Sequence, residues 1–373
     1  MNNLSLRDIA DLRLLLSIEG IGPAKLLSLL RHFHNFESIF EKSISHLSEV
    51  NSFNTILSKR IMEAKENREN FLTNLSRDLE ILQKLKARII TYWDDDYPEL
   101  LRNIYFPPLI LYVIGDLFNK DDLTLAVVGT RNPTEYGKLQ ADKFATDLSE
   151  KGLTIVSGLA RGIDSIAHTA ALNAGGRTIA VIGSGLDVIY PPENKKLFNR
   201  ISESGCIISE FQLGTQPDAP NFPKRNRIIA GLSKGTLIIE TKVSGGAVQT
   251  AAHSLSQNRE VFAVPGQLGV PQSEGTNLLI QRGEAKLVSC AQDILDEFNY
   301  GGMDIKNVKK KPDFDLDMFQ QKVIDNLSSD PKHVDILSTQ TSIPTHECLA
   351  HLLQLEFMGL VKQVPGKMFI KIS

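Results

Sequence analysis

Between about Ala87 and Val288, short apolar runs alternate with stretches of helical periodicity. The clearest runs are Leu123 to Val128 before Gly129, Leu153 to Val156 before Ser157-Gly158, Thr178 to Ile182 before Gly183, and Thr236 to Ile239 before Glu240. Because these runs do not alternate apolar with polar residues, both faces of each strand are expected to be buried. This predicts a parallel sheet covered by helices, in a doubly wound, Rossmann-like α/β domain. Ligands of such sheets bind beyond the carboxyl ends of the strands, where these glycines lie.

Two other regions flank this domain. Residues 1–86 show helical spacing of apolar residues and contain a helix, a Gly20-Ile21-Gly22 turn and a second helix, which resembles a helix-hairpin-helix (SAM-like) unit. Its glycines either bring backbone amides to a DNA phosphate or serve only a corner between helices. Residues 301–314 combine glycines, lysines and a proline, which is typical of a linker. Residues 315–373 predict three helices and a hairpin turning at Pro365-Gly366, a winged helix. We expect domains at 1–86, 87–300 and 315–373.

Whole-chain composition gives no indication of a nucleic-acid partner. The 373 residues include 41 Lys and Arg against 44 Asp and Glu, a net charge of -3, whereas a protein that coats DNA over its whole surface has a basic excess. Cys206, Cys290 and Cys348 form no CxxC pair, so no disulfide framework or cysteine-rich zinc site is expected and a reducing cytoplasm fits best. No run approaches the ~20 apolar residues of a membrane span, and no signal core opens the chain. Any DNA binding must therefore be local.

Three loops after predicted strands have features of anion sites. In the first, Gly129-Thr130-Arg131 combines a strand-to-helix turn with an arginine that can grip a phosphate. In the second, Ser157 to Asp164, Arg161 either repeats this cation or only pairs with Asp164, which can cap the next helix. His168 in that helix is interpreted as packed rather than catalytic. The third loop begins Gly183-Ser184-Gly185, but Val188 occupies the last glycine position of the dinucleotide fingerprint, so an NAD site is disfavoured. Asn194, Lys195 and Lys196 open the following helix and could hold phosphate oxygens.

The densest positive charge lies in the run Phe222-Pro223-Lys224-Arg225-Asn226-Arg227. Cations beside an aromatic ring suit single-stranded nucleic acid, because cations contact phosphates while rings stack on bases. The alternative is an exposed charged surface with no ligand. Catalytic motifs of serine hydrolases, zinc proteases and P-loop enzymes are missing from the sequence, and Asp94-Asp95-Asp96 is interpreted as a solvated turn rather than a metal cluster. No catalytic residue, metal or cofactor is expected.

Taken in order, these motifs resemble the DprA (Smf) DNA-processing family. The resemblance rests on YPELL at 97–101, VGTR at 128–131, SGLARGID at 157–164, GLD at 185–187, SE at 209–210, FPKRNRIIAGLS at 222–233 and VFAVPG at 261–266. It covers about 200 residues, and its last two motifs are highly specific. One departure is the polar Gln249, at a position that is usually apolar in the family.

The resemblance implies a role without catalysis. Such proteins bind incoming single-stranded DNA during natural transformation, protect it, load the RecA recombinase onto it, and dimerise through the Rossmann-like domain. The apolar stretch Leu278-Leu279-Ile280 is one candidate for that interface. The DNA-binding residues expected from the resemblance and from the loop patterns are Gly129, Thr130, Arg131, Ser157, Gly158, Arg161, Lys195, Lys224, Arg225, Asn226 and Arg227.

Two other functions are alternatives to this one. A lysine-decarboxylase-like hydrolase of nucleoside monophosphates would need a threonine where this chain has Gln249 and a glutamate where it has Ala252, so it lacks an evident general acid or base. A duplex-binding winged-helix regulator would need cationic donors on its recognition helix. The helix predicted from Pro344 to Met358 contains no Lys or Arg, so the C-terminal unit is expected to contact protein or the rest of the chain.

Overall fold

A nine-stranded sheet forms the centre of the first of two units in the computed structural model, which describes residues 4–117, 123–298, 316–328, 331–357, 360–364 and 366–371. The units divide at Val308 and Lys309. The strands are β1 (Ala87–Thr91), β2 (Ile110–Gly115), β3 (Thr124–Val128), β4 (Thr154–Ser157), β5 (Thr178–Ile182), β6 (Cys206–Ser209), β7 (Gly235–Ile238), β8 (Glu260–Ala263) and β9 (Lys286–Leu287). Their spatial order is β1-β2-β6-β5-β4-β3-β7-β8-β9.

The seven strands from β6 to β9 run parallel, as the apolar runs predict. In β3 and β5 every residue is buried, because helices cover both faces of the sheet. β2 pairs antiparallel with β6, and β1 pairs antiparallel with β2, which extends the sheet at one edge. The Rossmann-like prediction is confirmed, with this antiparallel edge added.

Fourteen helices accompany the sheet in the described part of the first unit. They are α1 (Leu6–Ser17), α2 (Pro23–Phe33), α3 (Phe36–Glu41), α4 (Ile44–Ser48), α5 (Thr55–Ala64), α6 (Arg68–Lys84), α7 (Glu99–Arg102), α8 (Glu135–Glu150), α9 (Ile163–Asn173), α10 (Lys195–Ser204), α11 (Asn221–Gly231), α12 (Gly246–Ser256), α13 (Pro271–Gln281) and α14 (Ala291–Glu297). Short 3-10 turns span Lys65–Asn67 and Pro192–Asn194. α8, α9 and α14 pack on one face of the central strands, and α11, α12 and α13 contribute to the core of the other face.

The N-terminal helices share a core with the antiparallel edge of the sheet. Leu12 and Phe36 belong to the same apolar cluster as Tyr112 and Ile207. Arg68 at the start of α6 donates to both carboxylate oxygens of Asp11, at 2.6 and 2.9 Å, and so ties α6 to α1. The Gly20 turn between α1 and α2 is the hairpin expected from the sequence. The helical region therefore lies against the sheet, within the first unit.

The second unit is a small winged helix. It contains α15 (Met318–Asp325), α16 (Val334–Thr341) and α17 (Thr345–Phe357), with the antiparallel strands β10 (Lys332–His333), β11 (Val361–Val364) and β12 (Met368–Lys371) in the order β10-β12-β11. Val323, Leu337, Leu352 and Phe369 are among the residues of its core. The predicted three helices and hairpin are confirmed, and β10 is an addition. The expected linker, 301–314, lies outside the described residues. Across the described ranges, no helix has the length and apolarity that a bilayer crossing requires.

Candidate nucleic-acid interface

The turns that follow β3 and β4 are packed against each other at the carboxyl edge of the sheet. Gly162 has a φ of 76°, and a Cβ there would overlap the Thr130 carbonyl, so only glycine fits easily. The Ile163 N–H donates to that carbonyl at 3.2 Å, and the Thr130 N–H donates to the Glu240 carbonyl at 2.7 Å. The Thr130 amide, which the sequence placed in an anion site, is thus already hydrogen-bonded within the protein.

Arg131 projects from the first of these turns. Its side chain is exposed and makes no ion pair with any residue of the described part of the chain. Its guanidinium lies over the Phe222 ring, 5.0 Å from the ring centroid. A cation held on an aromatic face keeps its N–H groups available at the ring's edge. The Phe222 ring therefore fixes the position of Arg131, while its guanidinium N–H groups stay available to a ligand.

Arg225 lies beneath this cation, inside the protein. It belongs to α11 and is only 4% exposed. A Cβ on Gly158 would overlap its guanidinium, so the glycine makes the slot that this side chain fills. The Nη1 group donates to the Val181 carbonyl at 3.0 Å. The expectation that Arg225 is a surface cation is corrected: the guanidinium is part of the floor of the site.

Burial sets the charge balance around Arg225. It lowers the pKa of Arg225 to about 10, while the carboxylate of Asp164 acts in the opposite direction. Burial also raises the pKa of Asp164, and the charge of Arg225 opposes that shift. Each of the two buried groups therefore stabilises the charged form of the other.

The sequence suggested that Asp164 caps α9, but the structure shows that it does not. The cap position is Gly162, which has no side chain to accept a hydrogen bond, and Asp164 lies in the first turn. Its Oδ2 accepts from the Gly158 N–H at 3.1 Å and from the Ala160 N–H at 3.4 Å. The Ser157 hydroxyl donates to the Val127 carbonyl at 2.6 Å. Ser157 and Gly158 therefore shape the site, but the Ser157 hydroxyl and the Gly158 N–H already donate within the protein and are not available to a ligand.

Arg161 and Glu193 form an ion pair at the rim of the site, so the suggested pairing of Arg161 with Asp164 is wrong. Both side chains are about half exposed. The Asn194 amide donates to the Leu159 carbonyl and to the Ser165 hydroxyl, both at 2.8 Å, and so fixes the loop rather than standing free. Lys195, the first residue of α10, is exposed.

These elements enclose one cleft, which we call the sheet-edge cleft. Tyr190 stands beside Phe222, with ring centroids 5.9 Å apart, and was not assigned a role from the sequence. Its signal was an aromatic residue directly before two prolines, after a glycine-containing loop. The cleft is lined by Arg131, Gly158, Ala160, Arg161, Gly183, Ser184, Tyr190, Pro191, Pro217, Phe222 and Arg225. It combines three guanidinium groups with two aromatic rings.

The other predicted basic residues lie on the opposite side of α11. Lys224 and Arg227 line a second cleft, between α11 and the N-terminal helices. Arg227 forms an ion pair with Glu210 and donates to the Phe106 carbonyl at 2.7 Å. The Asn226 amide is 3.4 Å from the Gly246 carbonyl. Of the predicted cations, three line the sheet-edge cleft and two line the second cleft, whereas Lys195 lines neither.

Two further sequence interpretations concern single residues. His168 is fully buried and its Nδ1 lies 2.6 Å from the Thr178 hydroxyl, which confirms the packed interpretation. Gln249 is exposed on α12, where a polar side chain causes no packing conflict. In the suggested interface stretch, Leu279 is buried in the sheet core, whereas Leu278 and Ile280 are both half-buried, Ile280 packing against that core.

Three family profiles match successive parts of the chain. DNA recombination-mediator protein A matches residues 88–299, the DprA winged helix domain matches 308–367, and a SAM-like helix-hairpin-helix tandem matches 12–65. Protein Smf of Synechocystis sp. is 35% identical over 94% of this chain and 95% of its own length. DNA processing protein DprA of Streptococcus pneumoniae is 45% identical over 56% of this chain and 73% of its own length.

Two of the solved structures that share the fold have a sequence identity of 30% or more with this chain. The X-ray structure of S. pneumoniae DprA matches with a TM-score of 0.67 and 35% identity, covering 79% of this chain and 98% of that one. A structure of Helicobacter pylori DprA, described for its single-stranded DNA binding mode, matches with a TM-score of 0.52 and 30% identity. It covers 57% of this chain and 96% of its own.

Proposed function

The chain belongs to the DNA recombination-mediator protein A family, and we propose that it binds single-stranded DNA in the sheet-edge cleft. The observation that carries this proposal is Arg131, an exposed cation without an ion pair in the described ranges, held on the Phe222 ring at the carboxyl edge of the sheet. Phosphates would contact Arg131 and Arg161, and the aromatic rings would contact bases. The H. pylori relative, whose structure is described for its single-stranded DNA binding mode, supports single-stranded DNA as the ligand.

The cleft favours a single strand over a duplex because its aromatic rings lie inside it. Phe222 and Tyr190 can stack only on bases that are free of a partner strand, whereas duplex bases present their edges in grooves. Since the Thr130 and Gly158 amides already donate within the chain, cationic side chains rather than backbone amides would hold the phosphates. This revises the backbone pocket expected from the sequence.

Beyond DNA binding, we propose the roles that the family resemblance implies. The protein would protect incoming single strands during natural transformation, load the RecA recombinase onto them, and act in the cytoplasm as a homodimer through the Rossmann-like domain. The three cysteines stand far apart in the sequence and form no CxxC pair, which suits a reducing compartment. The recognition-helix candidate, α17, contains no Lys or Arg, which supports a protein-contacting rather than a duplex-binding role for the winged helix. Ala252 supplies no carboxylate on α12, which argues against the alternative of a lysine-decarboxylase-like nucleoside monophosphate hydrolase.

Arg131→Ala tests the DNA-binding proposal. Removing one phosphate contact should weaken binding by a factor of about 10 to 150 for all sequences alike, since a hydrogen bond from a charged group contributes about 1.5–3 kcal/mol. The slope of log K against log salt should also fall in magnitude by about 0.7, the value for one phosphate of a single strand. Fluorescence anisotropy with labelled oligothymidylate, in a series of salt concentrations, measures both quantities.

The matched control is Lys143→Ala, which removes an exposed cation of α8 that lines neither cleft. It should leave the affinity and the salt slope at their original values. If Arg131→Ala behaves like this control, the role of the sheet-edge cleft is refuted.

A further inference from the structure

The second cleft, on the other side of α11, is also positively charged. Its charged lining residues are Arg13, Lys224, Arg227 and the single carboxylate Glu210. Arg227 neutralises Glu210 by its ion pair, whereas Lys224 is exposed and has no ion pair within the described ranges. Arg13 at the floor is likewise paired with a carboxylate, Asp78, so the excess charge of the cleft comes from Lys224 at its rim.

An exposed aromatic pair stands at the rim of this cleft. Tyr105 is 80% exposed and Phe106 is 47% exposed, and their ring centroids lie 4.4 Å apart with the rings edge to face. Phe106 lines the cleft, and its carbonyl accepts a hydrogen bond from Arg227. Arg227 thus fixes the backbone that carries the pair. Large rings left in solvent beside fixed cations provide the stacking surface that single-stranded nucleic acids use.

The facing wall contains the start of α2. Gly22 precedes that helix with a φ of -107°, and a Cβ there would meet nothing within 4 Å. Neither its conformation nor internal packing requires glycine, so the bare backbone is open to a group outside the chain. No side chain caps the first amides of α2, and an uncapped helix start favours phosphate oxygens.

Arg13 gives a second indication of an anionic occupant. It is 4% exposed, and although its Nη2 contacts Asp78 at 2.6 Å, its Nε and Nη1 have no hydrogen-bond partner in the described part of the protein. The Tyr112 hydroxyl, in the same lining, is likewise without a partner there. Buried donors without a hydrogen-bond partner favour a ligand with acceptor atoms, such as phosphate oxygens, in this cleft.

We propose that this second cleft binds the continuation of the same single strand. The strand would leave the sheet-edge cleft, cross α11, and place phosphates near Lys224 and the Gly22 backbone while a base stacks on Tyr105 or Phe106. α11 connects the two sites directly, because Phe222 and Arg225 face one cleft while Lys224 and Arg227 face the other. The inference rests on the proposed function, and the positive charge favours a polyanion over a peptide.

Oligonucleotide length tests this inference. A helix is about 10 Å across, so a strand of about 6 nucleotides should fill one cleft, whereas one of about 16 nucleotides should reach both. The unmodified protein should bind the longer oligothymidylate more tightly than the shorter one. The double variant Tyr105→Ala/Phe106→Ala should lose about tenfold in affinity for the longer strand, because stacking of one base is lost, and should bind the shorter strand as before.

Two single variants and one control complete the design. Gly22→Ala, which meets no steric conflict, and Lys224→Ala should each weaken binding of the longer strand only. Leu139→Ala removes an exposed apolar side chain of α8 outside both clefts and should change neither affinity. Photocrosslinking from a halogenated uracil in the longer strand should label Tyr105 or Phe106.

The outcomes separate this inference from the proposed function. If the aromatic double variant keeps the full preference for the longer strand, the second cleft does not bind DNA and the inference is overturned, while the sheet-edge cleft stands. If the unmodified protein binds neither strand, the proposed function fails and the inference fails with it. Weakened binding of the longer strand alone, with crosslinks at the aromatic pair, supports the inference.

Discussion

Acid should destabilise the first unit through His168. The Thr178 hydroxyl donates to the Ile155 carbonyl at 2.7 Å, so its oxygen can only accept from the imidazole, and the Nδ1 of His168 carries the proton. The Nε2 is buried and has no partner in the described part of the chain. A proton added at Nε2 would create a charge in the core without an acceptor. Burial and the nearby charge of Arg225 accordingly lower the pKa of His168 to about 3.

The magnitude follows from proton linkage. In the unfolded chain the histidine has a pKa of about 6.5. As the pH falls below that value, His168 is protonated in the unfolded state but stays neutral in the folded state. Stability is therefore fully present above about pH 6.5 and is lost progressively as the pH falls towards 3, with a slope of at most about 1.4 kcal/mol per pH unit. Between pH 7 and pH 5 this histidine alone should remove about 2 kcal/mol.

Urea unfolding at pH 7 and pH 5 measures this loss. The chain has one tryptophan, Trp93, so its fluorescence follows the unit that contains His168. His168→Gln keeps a donor for Thr178 but cannot be protonated, so its stability should fall by about 2 kcal/mol less than that of the unmodified protein over this interval. His32→Gln, at an exposed position on α2, is the control. Equal losses for the His168 variant and the unmodified protein would refute the argument.

Two further predictions use the same unfolding measurement. Arg225→Met should destabilise the first unit by about 3–5 kcal/mol, because Asp164 then lies buried without an opposing charge. Adding Asp164→Asn should recover much of this loss. A double variant no more stable than the single one would contradict the charge argument. Gly20→Ala should cost about 1–2 kcal/mol, because Gly20 has a φ of 92°, whereas Gly22→Ala should cost close to nothing; equal effects would refute this distinction.

The parallel part of the sheet could be predicted from the sequence because strands buried on both faces consist of continuous apolar runs. β3 and β5 lie between two layers of helices, so they contain no alternation of apolar and polar residues. The antiparallel edge was not predicted, because apolar runs such as Ile110–Gly115 carry no information about strand direction. β10, with two residues, is too short to produce a pattern.

The basic run on α11 shows why the site was harder to predict. Lys224, Arg225 and Arg227 are close in sequence, but successive residues of a helix point about 100° apart. Arg225 therefore enters the core, whereas Lys224 and Arg227 lie on the opposite side. Whether a cation is exposed also depends on a partner distant in sequence, such as Glu210 for Arg227. A local pattern identifies the charges but not their environments.

The burial of Arg225 has a structural consequence for both clefts. Because the bare Gly158 admits the guanidinium and the Val181 carbonyl holds it, the N-terminal half of α11 is fixed to the sheet. That anchor sets the position of Phe222 beneath Arg131 on one side and of Lys224 on the other. If the two clefts bind DNA as proposed, Arg225 would act through the position of its helix, so its loss should weaken binding in both clefts, whereas loss of Arg131 should affect phosphate contacts in one. On this proposal, a near-neutral chain would concentrate its DNA-binding charge around a single anchored helix.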